Sequence, residues 1–147
     1  MAVTSLLYGA AFLSAFNKEI DLNEATKVKC SLHTSSYGPV QDTDNYWNDC
    51  TNEITGAGYT TGGVELTGLT PTYTGGTNVF AFDAVDAQWT AATFTCRIAV
   101  VYYNTGVSST SPLLMYVDFG SDQSVSSGTF TIQWNAAGLF TVTVSAT

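Results

Sequence analysis

Residues 93–103 read TFTCRIAVVYY, and their period decides the fold. Phe94, Cys96, Ile98, Val100 and Tyr102 fall on alternate positions, as side chains on one face of a strand do. β-branched and aromatic residues suit that pleated surface. A strand so apolar belongs near the centre of a sheet. The same period recurs on both sides of it. In KVKCSLHT (27–34), Val28, Cys30 and Leu32 point one way, and Lys27, Lys29, Ser31 and His33 the other. That is a half-buried strand, with Cys30 as a small core residue and His33 on a solvated lysine face. NVFAFDA (78–84) aligns Phe80 with Phe82, and LLMYVDF (113–119) aligns Leu113, Met115, Val117 and Phe119. TFTIQW (129–134) aligns Phe130, Ile132 and Trp134, and LFTVTVS (139–145) aligns Phe140, Val142 and Val144. Turn residues punctuate them at TGGTN (74–78), NTG (104–106), FGSD (119–122), SSG (126–128) and NAAG (135–138). Short strands at such spacing predict a mainly β chain. The expected fold is an antiparallel β-sandwich, immunoglobulin-like or jelly-roll-like. It carries a mixed N-terminal half and at most one or two short helices.

The first seventy residues are less regular. LLYGAAFLSAFNKEI (6–20) fits two readings. Leu6, Ala10, Leu13 and Phe16 or Asn17 trace one helical face, which Gly9 weakens. A buried strand followed by a turn fits as well. The segment packs into the core or docks on a neighbouring subunit. The chain is read as a single domain, with 1–26 as an N-terminal arm or first element and 27–147 as the sandwich.

Composition narrows the function classes. Of 147 residues only 11% are charged, against about 25% in ordinary domains. Net charge is −8, and the basic residues are Lys18, Lys27, Lys29 and Arg97. These four cannot build the basic stripe that binds nucleic acid or an anionic membrane. The three cysteines, Cys30, Cys50 and Cys96, form no CxxC pair. A disulfide framework and a zinc site are therefore not expected, and a reducing compartment fits. The apolar run Leu6–Phe16 is too short to span a bilayer and has no basic segment before it, so no signal peptide is expected.

Chemistry, if any, concentrates in VQDTDNYWNDCTNEITGAGYTTGG (40–63). As a calcium loop it offers Asp42 and Asp44 at the first two ligand positions and Glu53 at the twelfth. Tyr46 and Trp47 then occupy a ligand position and the glycine position, so the pattern is broken. Asp49 and Glu53 form a carboxylate pair of the general acid and base type. Nucleophilic catalysis would have to use His33, the only histidine. GAGYTTGG lacks the lysine and spacing of a phosphate loop. The plainer reading makes Asp42, Asp44 and Asn45 turn and cap residues. DTDNYWND is then one helical turn, Thr51–Ile54 a short strand, and the glycines tight turns. No catalytic residue and no cofactor are expected.

Trp47, Trp89 and Trp134 could supply sugar-stacking faces, so a carbohydrate-binding module is the rival of another class. A different set of strings carries a resemblance: NKEIDL (17–22), YGPVQDT (37–43), TNEITGAGYTTGG (51–63), RIAVVYYNTG (97–106), YVDFG (116–120) and GLFTVTV (138–144). Taken in order, they resemble a group of small tailed-bacteriophage virion proteins, apart from Cys50 and Cys96, where polar or small residues are expected. The resemblance implies a non-enzymatic structural protein, assembled in the bacterial cytoplasm and resident in the virion. Head decoration (cement) is the leading role, with a tail, neck or head-fibre part as the alternative. The implied partners are other virion proteins, the major capsid protein first, and copies of itself. Candidate contact residues are Leu6, Leu7, Tyr8 and Phe12 near the N-terminus, with Tyr46 and Trp47 in the acidic loop.

Overall fold

The structure, a computed structural model, describes residues 2–145. It is an antiparallel β-sandwich. In chain order the elements are β1 (Thr4–Leu7), a short helix α1 (Ala11–Phe16), β2 (Val28–His33), β3 (Val64–Glu65), β4 (Thr70–Thr74), β5 (Val79–Asp83), β6 (Ala87–Tyr103), β7 (Leu113–Ile132) and β8 (Phe140–Thr143). One sheet has the order β1-β7-β6-β2-β3 and the other β4-β5-β8. The ambiguous N-terminal segment holds a strand and then a helix, but the strand is exposed rather than buried: only Leu7 of β1 is half-covered. The helical face does not survive: Leu13 and Phe16 are 64% and 84% exposed, while Ala11 and Ser14 are buried.

β6 and β7 form the spine. They pair from Ala87↔Ile132 to Tyr102↔Leu113. FGSD and SSG are therefore not turns between strands. They are irregularities within one strand of 20 residues. Between Cys96↔Gln123 and Ile98↔Asp118, residues 119–122 of β7 face Arg97 alone. Gly120 supplies the left-handed backbone there, at φ 78°. Asp118 Oδ1 accepts from its N–H at 2.8 Å and from Arg97 Nε at 2.6 Å. The Arg97 guanidinium holds the Asp118 carboxyl below its usual range.

That bulge also splits the face read from 93–103. Phe94 and Cys96 line the core between the sheets, joined beyond the bulge by Ala99, Val101 and Tyr103. Ile98, Val100 and Tyr102 point to the opposite side, with Tyr8, Tyr37 and Leu113. Leu113 thus parts from Met115 and Val117, at the irregularity between Val101 and Tyr102. Both faces of the large sheet are covered here, so the alternating pattern gives way to continuous burial over Ile98–Tyr103.

The main core joins Val28, Cys30 and Leu32 to Phe82, Met115, Val117 and Ile132. At its aromatic centre Phe94 meets Phe130 edge to face with centroids 5.5 Å apart, and Trp89 lies tilted against Phe130 at 5.8 Å. Aromatic pairs of this kind add about 0.5–1.5 kcal/mol beyond their buried area. β4, which no alternation marked, borders β5 with Pro71 on the free edge of the small sheet. Residues 51–54 form no strand; Glu53 makes a single bridge to His33.

Candidate interaction surface

Residues 34–50 cover the outer face of the large sheet with Tyr37, Trp47 and Cys50. Residues 51–63 run along the edge of β2 with Ile54 and Tyr59 in the main core. Three of the segment's four acids are used internally. Asp44 Oδ2 accepts from the Tyr37 hydroxyl at 2.9 Å and the Val40 N–H at 3.0 Å. Asp49 Oδ2 accepts from the Asn45 and Tyr46 N–H groups at 2.8 and 3.0 Å, capping the 3-10 turn Trp47–Asp49. Glu53 Oε1 accepts from the Tyr59 hydroxyl and the Gly62 N–H, both at 2.6 Å. Asp42 is exposed. The calcium set Asp42, Asp44 and Glu53 is not assembled. Among the described residues no three His, Cys, Asp or Glu side chains gather as a metal site.

His33 overturns its expected place. It is fully buried, because Tyr37 packs on its ring and Thr51 closes over it. The lysine face of β2 is wet only at its start. Since the Thr51 carbonyl can only accept, His33 Nδ1 carries the proton of the 2.8 Å bond between them. Nε2 then accepts from Ser31 Oγ at 2.9 Å, and Ser31 Oγ accepts from Trp47 Nε1 at 3.2 Å. Burial lowers the His33 pKa to about 4, so the imidazole is neutral. Ser31 and His33 have the spacing of a nucleophile and its base. Both are 0% exposed, and the hydroxyl already serves Trp47. Their i, i+2 positions on one strand face were the signal that could have paired them in the sequence.

A second chain of bonds lies alongside. The Tyr8 hydroxyl donates to that of Tyr37 at 2.9 Å, since Tyr37 spends its own proton on Asp44. Cys50 Sγ lies 3.3 Å from the same oxygen, and burial raises its pKa to about 12. Burial likewise raises the Tyr8 and Tyr37 hydroxyls well above their usual range. All three cysteines are free.

The six candidate contact residues therefore separate. Tyr8 is fully buried within the chain, which removes it from the surface. Trp47 stacks on Tyr102 with centroids 5.1 Å apart and 12° between planes. Tyr46 is half-buried, its hydroxyl 3.4 Å from Glu19 Oε2. Leu7 is half-buried, and Leu6 and Phe12 are 44% and 45% exposed. Of the other tryptophans, Trp89 is buried in β6, and Trp134 packs against the core with its Nε1 donating to the Val85 carbonyl at 3.2 Å.

The sequence missed how far exposed apolar side chains concentrate at one place. Among the described residues ten large hydrophobics are exposed, and five of them are Val3, Leu6, Phe12, Leu13 and Phe16. Val3, Phe12 and Phe16 line two clefts that flank β1; Leu6 and Leu13 line neither. One, of about 180 Å³, lies between Leu7, Phe12 and Phe16 on one side and Phe80 and Phe140 on the other. The second, of about 370 Å³, lies between Val3, Ser5 and Val117 and Trp134, Gly138 and Leu139. No charged residue occurs from Val3 to Asn17. A local concentration of exposed apolar side chains marks a contact surface more often than a chemical site. Comparison with family models, with curated proteins and with solved structures gives no match.

Proposed function

We propose that the chain is a non-enzymatic structural protein of a phage virion, a decoration subunit that binds the assembled head through repeated protein contacts. The observation that carries the binding role is the division of its chemistry. Asp44, Asp49 and Glu53 of the acidic loop are spent on internal bonds, and half of the large apolar side chains left outside lie on or beside β1 and α1. The ordered resemblance described above supports the virion assignment. Low charge fits a subunit whose surface meets neighbours. On a symmetric shell each contact can be modest, because repetition supplies avidity. A subunit that binds the assembled state and not the free one stabilises that state by mass action. Its partners are the major capsid protein and copies of itself.

The test is binding of the purified chain to heads lacking it, followed by co-sedimentation. Saturable binding to assembled heads, with none to unassembled capsid subunits, is expected. Because apolar contacts are screened little by salt, it should persist at high ionic strength. Failure to bind heads at any concentration, or a glycan ligand lost in Trp47→Ala, would overturn the proposal.

A further inference from the structure

We infer that β1 is a self-pairing edge, through which two copies of the chain join their large sheets around a two-fold axis. The inference rests on the reading that the chain contacts copies of itself, and not on any particle. Four strands end the two sheets: β1, β3, β4 and β8. Edges are normally guarded by shortness, charge or proline. β3 has two residues, one of them Glu65, and β4 carries Pro71. The Leu66–Leu69 link joins those two on the same side of the sandwich. β1 and β8 hold neither charge nor proline, and they border the open side where both clefts lie.

The register of β1 decides how it can pair. Tyr8 N–H donates to the Leu114 carbonyl, and Thr4 lies opposite Asp118. Even-numbered residues therefore direct their backbone groups to β7, and Val3, Ser5 and Leu7 direct theirs outward. The Leu7 carbonyl confirms the direction by accepting from Gln41 Nε2 of the overlying loop at 2.6 Å. An antiparallel copy centred on Ser5 matches Ser5 with itself and Val3 with Leu7 of the other copy. Ser5 exchanges both outward groups with its counterpart, and the Leu7 carbonyl, already an acceptor for Gln41, has a second lone pair for the Val3 N–H of the other copy. Because the pairing is antiparallel, α1 of one copy lies beside the cleft lined by Val3 and Ser5 of the other. Phe12 and Phe16 are the exposed aromatic side chains available to fill it. Charge points the same way. Each copy carries −8, and the Val3–Asn17 stretch lets two copies meet without opposing like charges.

Sedimentation velocity on the purified chain tests this. The wild type should sediment as a dimer. Ser5→Pro removes an outward N–H and no bond to β7, a substitution that edge strands accept. It should weaken dimerisation about tenfold or more, with the thermal midpoint of the dilute chain unchanged. Phe16→Asp, at a side chain 84% exposed, should weaken it as well. A wild type that stays monomeric up to roughly 100 µM, far above the range of specific interfaces, would overturn the inference. So would a dimer that Ser5→Pro leaves intact.

Discussion

Replacing Gly63 by alanine is expected to cost about 3 kcal/mol or more of unfolding free energy. The residue sits at φ 76°, where an L side chain is strained. Space is the larger problem. A Cβ there would lie 1.8 Å from the Cys30 carbonyl oxygen and 2.7 Å from the Ser31 Cα. Both are backbone atoms of β2, which is held on one edge by β6 and on the other by β3. Neither neighbour can yield without breaking the Cys30↔Val64 register one residue away. Thermal unfolding should show a drop of about 6–12 °C for a chain of this length. Gly75→Ala is the matched control. Its added Cβ meets nothing within 4 Å and its φ is not in the left-handed region, so its midpoint should stay within a degree or two of wild type, about the span of an ordinary surface change. Equal losses at both positions would contradict this placement of the loop.

Acid is expected to unfold the chain earlier than its carboxylates alone would. Unfolded histidine takes up a proton near pH 6.5, and burial lowers folded His33 to about 4. Between those values the unfolded chain binds more protons. Stability is therefore fully present above pH 6.5 and declines as pH falls toward about 4. The slope is about 1.4 kcal/mol per pH unit, or about 3 kcal/mol across the window. Geometry gives the reason: a second ring proton would have to displace the bond that Nε2 accepts from Ser31, with no solvent to replace it. Asp118, whose pKa is lowered by Arg97, loses its contribution only below its ordinary value of 3.8. Since His33 is the only histidine, the slope between pH 6.5 and about 5, above the carboxylate range, belongs to it. Denaturant titrations at half-unit steps should show that slope in the wild type and a flat line in His33→Gln. An unchanged slope in the variant would refute the assignment.

Several strands were legible because one face of each carries its apolar side chains to the core. Val28, Cys30 and Leu32 of β2, Phe80 and Phe82 of β5 and Phe140 of β8 all turn to the main core, although Ser31 and His33 bury the other face of β2 as well. Where the reading failed, a non-local contact had changed what a local pattern means. His33 looked solvated because it alternates with lysines, and only the return of residues 34–63 shows that the far end of that face is roofed. FGSD looked like a turn because its residues favour one. Opposite a strand as long as β6, the same residues make a bulge, and the bulge moves Ile98, Val100 and Tyr102 to the other face. β4 gave no signal because Thr70, Thr72 and Thr74 are exposed and Pro71 stands where a strand donor would. The acidic loop was legible in kind. Asp44 and Asp49 serve a turn and a cap as their residue types favour, although Asp49 rather than Asn45 does the capping.

The apolar face around β1 and α1 was half legible. Leu6, Leu7 and Phe12 were readable as contact candidates from their apolar type. Tyr8 was not separable from them, since only the hydroxyl bond to Tyr37 and the packing against Tyr116 explain its burial. The helical spacing of Leu13 and Phe16 fits a core-facing stripe as one of two readings, and the structure exposes both side chains. A helix of six residues cannot bury a full stripe, and its seat against β7 takes Ala11 and Ser14 instead.

The measurement closest to the central claim is quantitative mass spectrometry of particles made by the genome that encodes this chain, separated into heads and tails. Recovery in the head fraction, at a copy number comparable to that of the major capsid protein, is expected. Recovery only with tails, at a few copies per particle, would contradict the decoration role. Absence from both fractions would contradict the virion assignment itself.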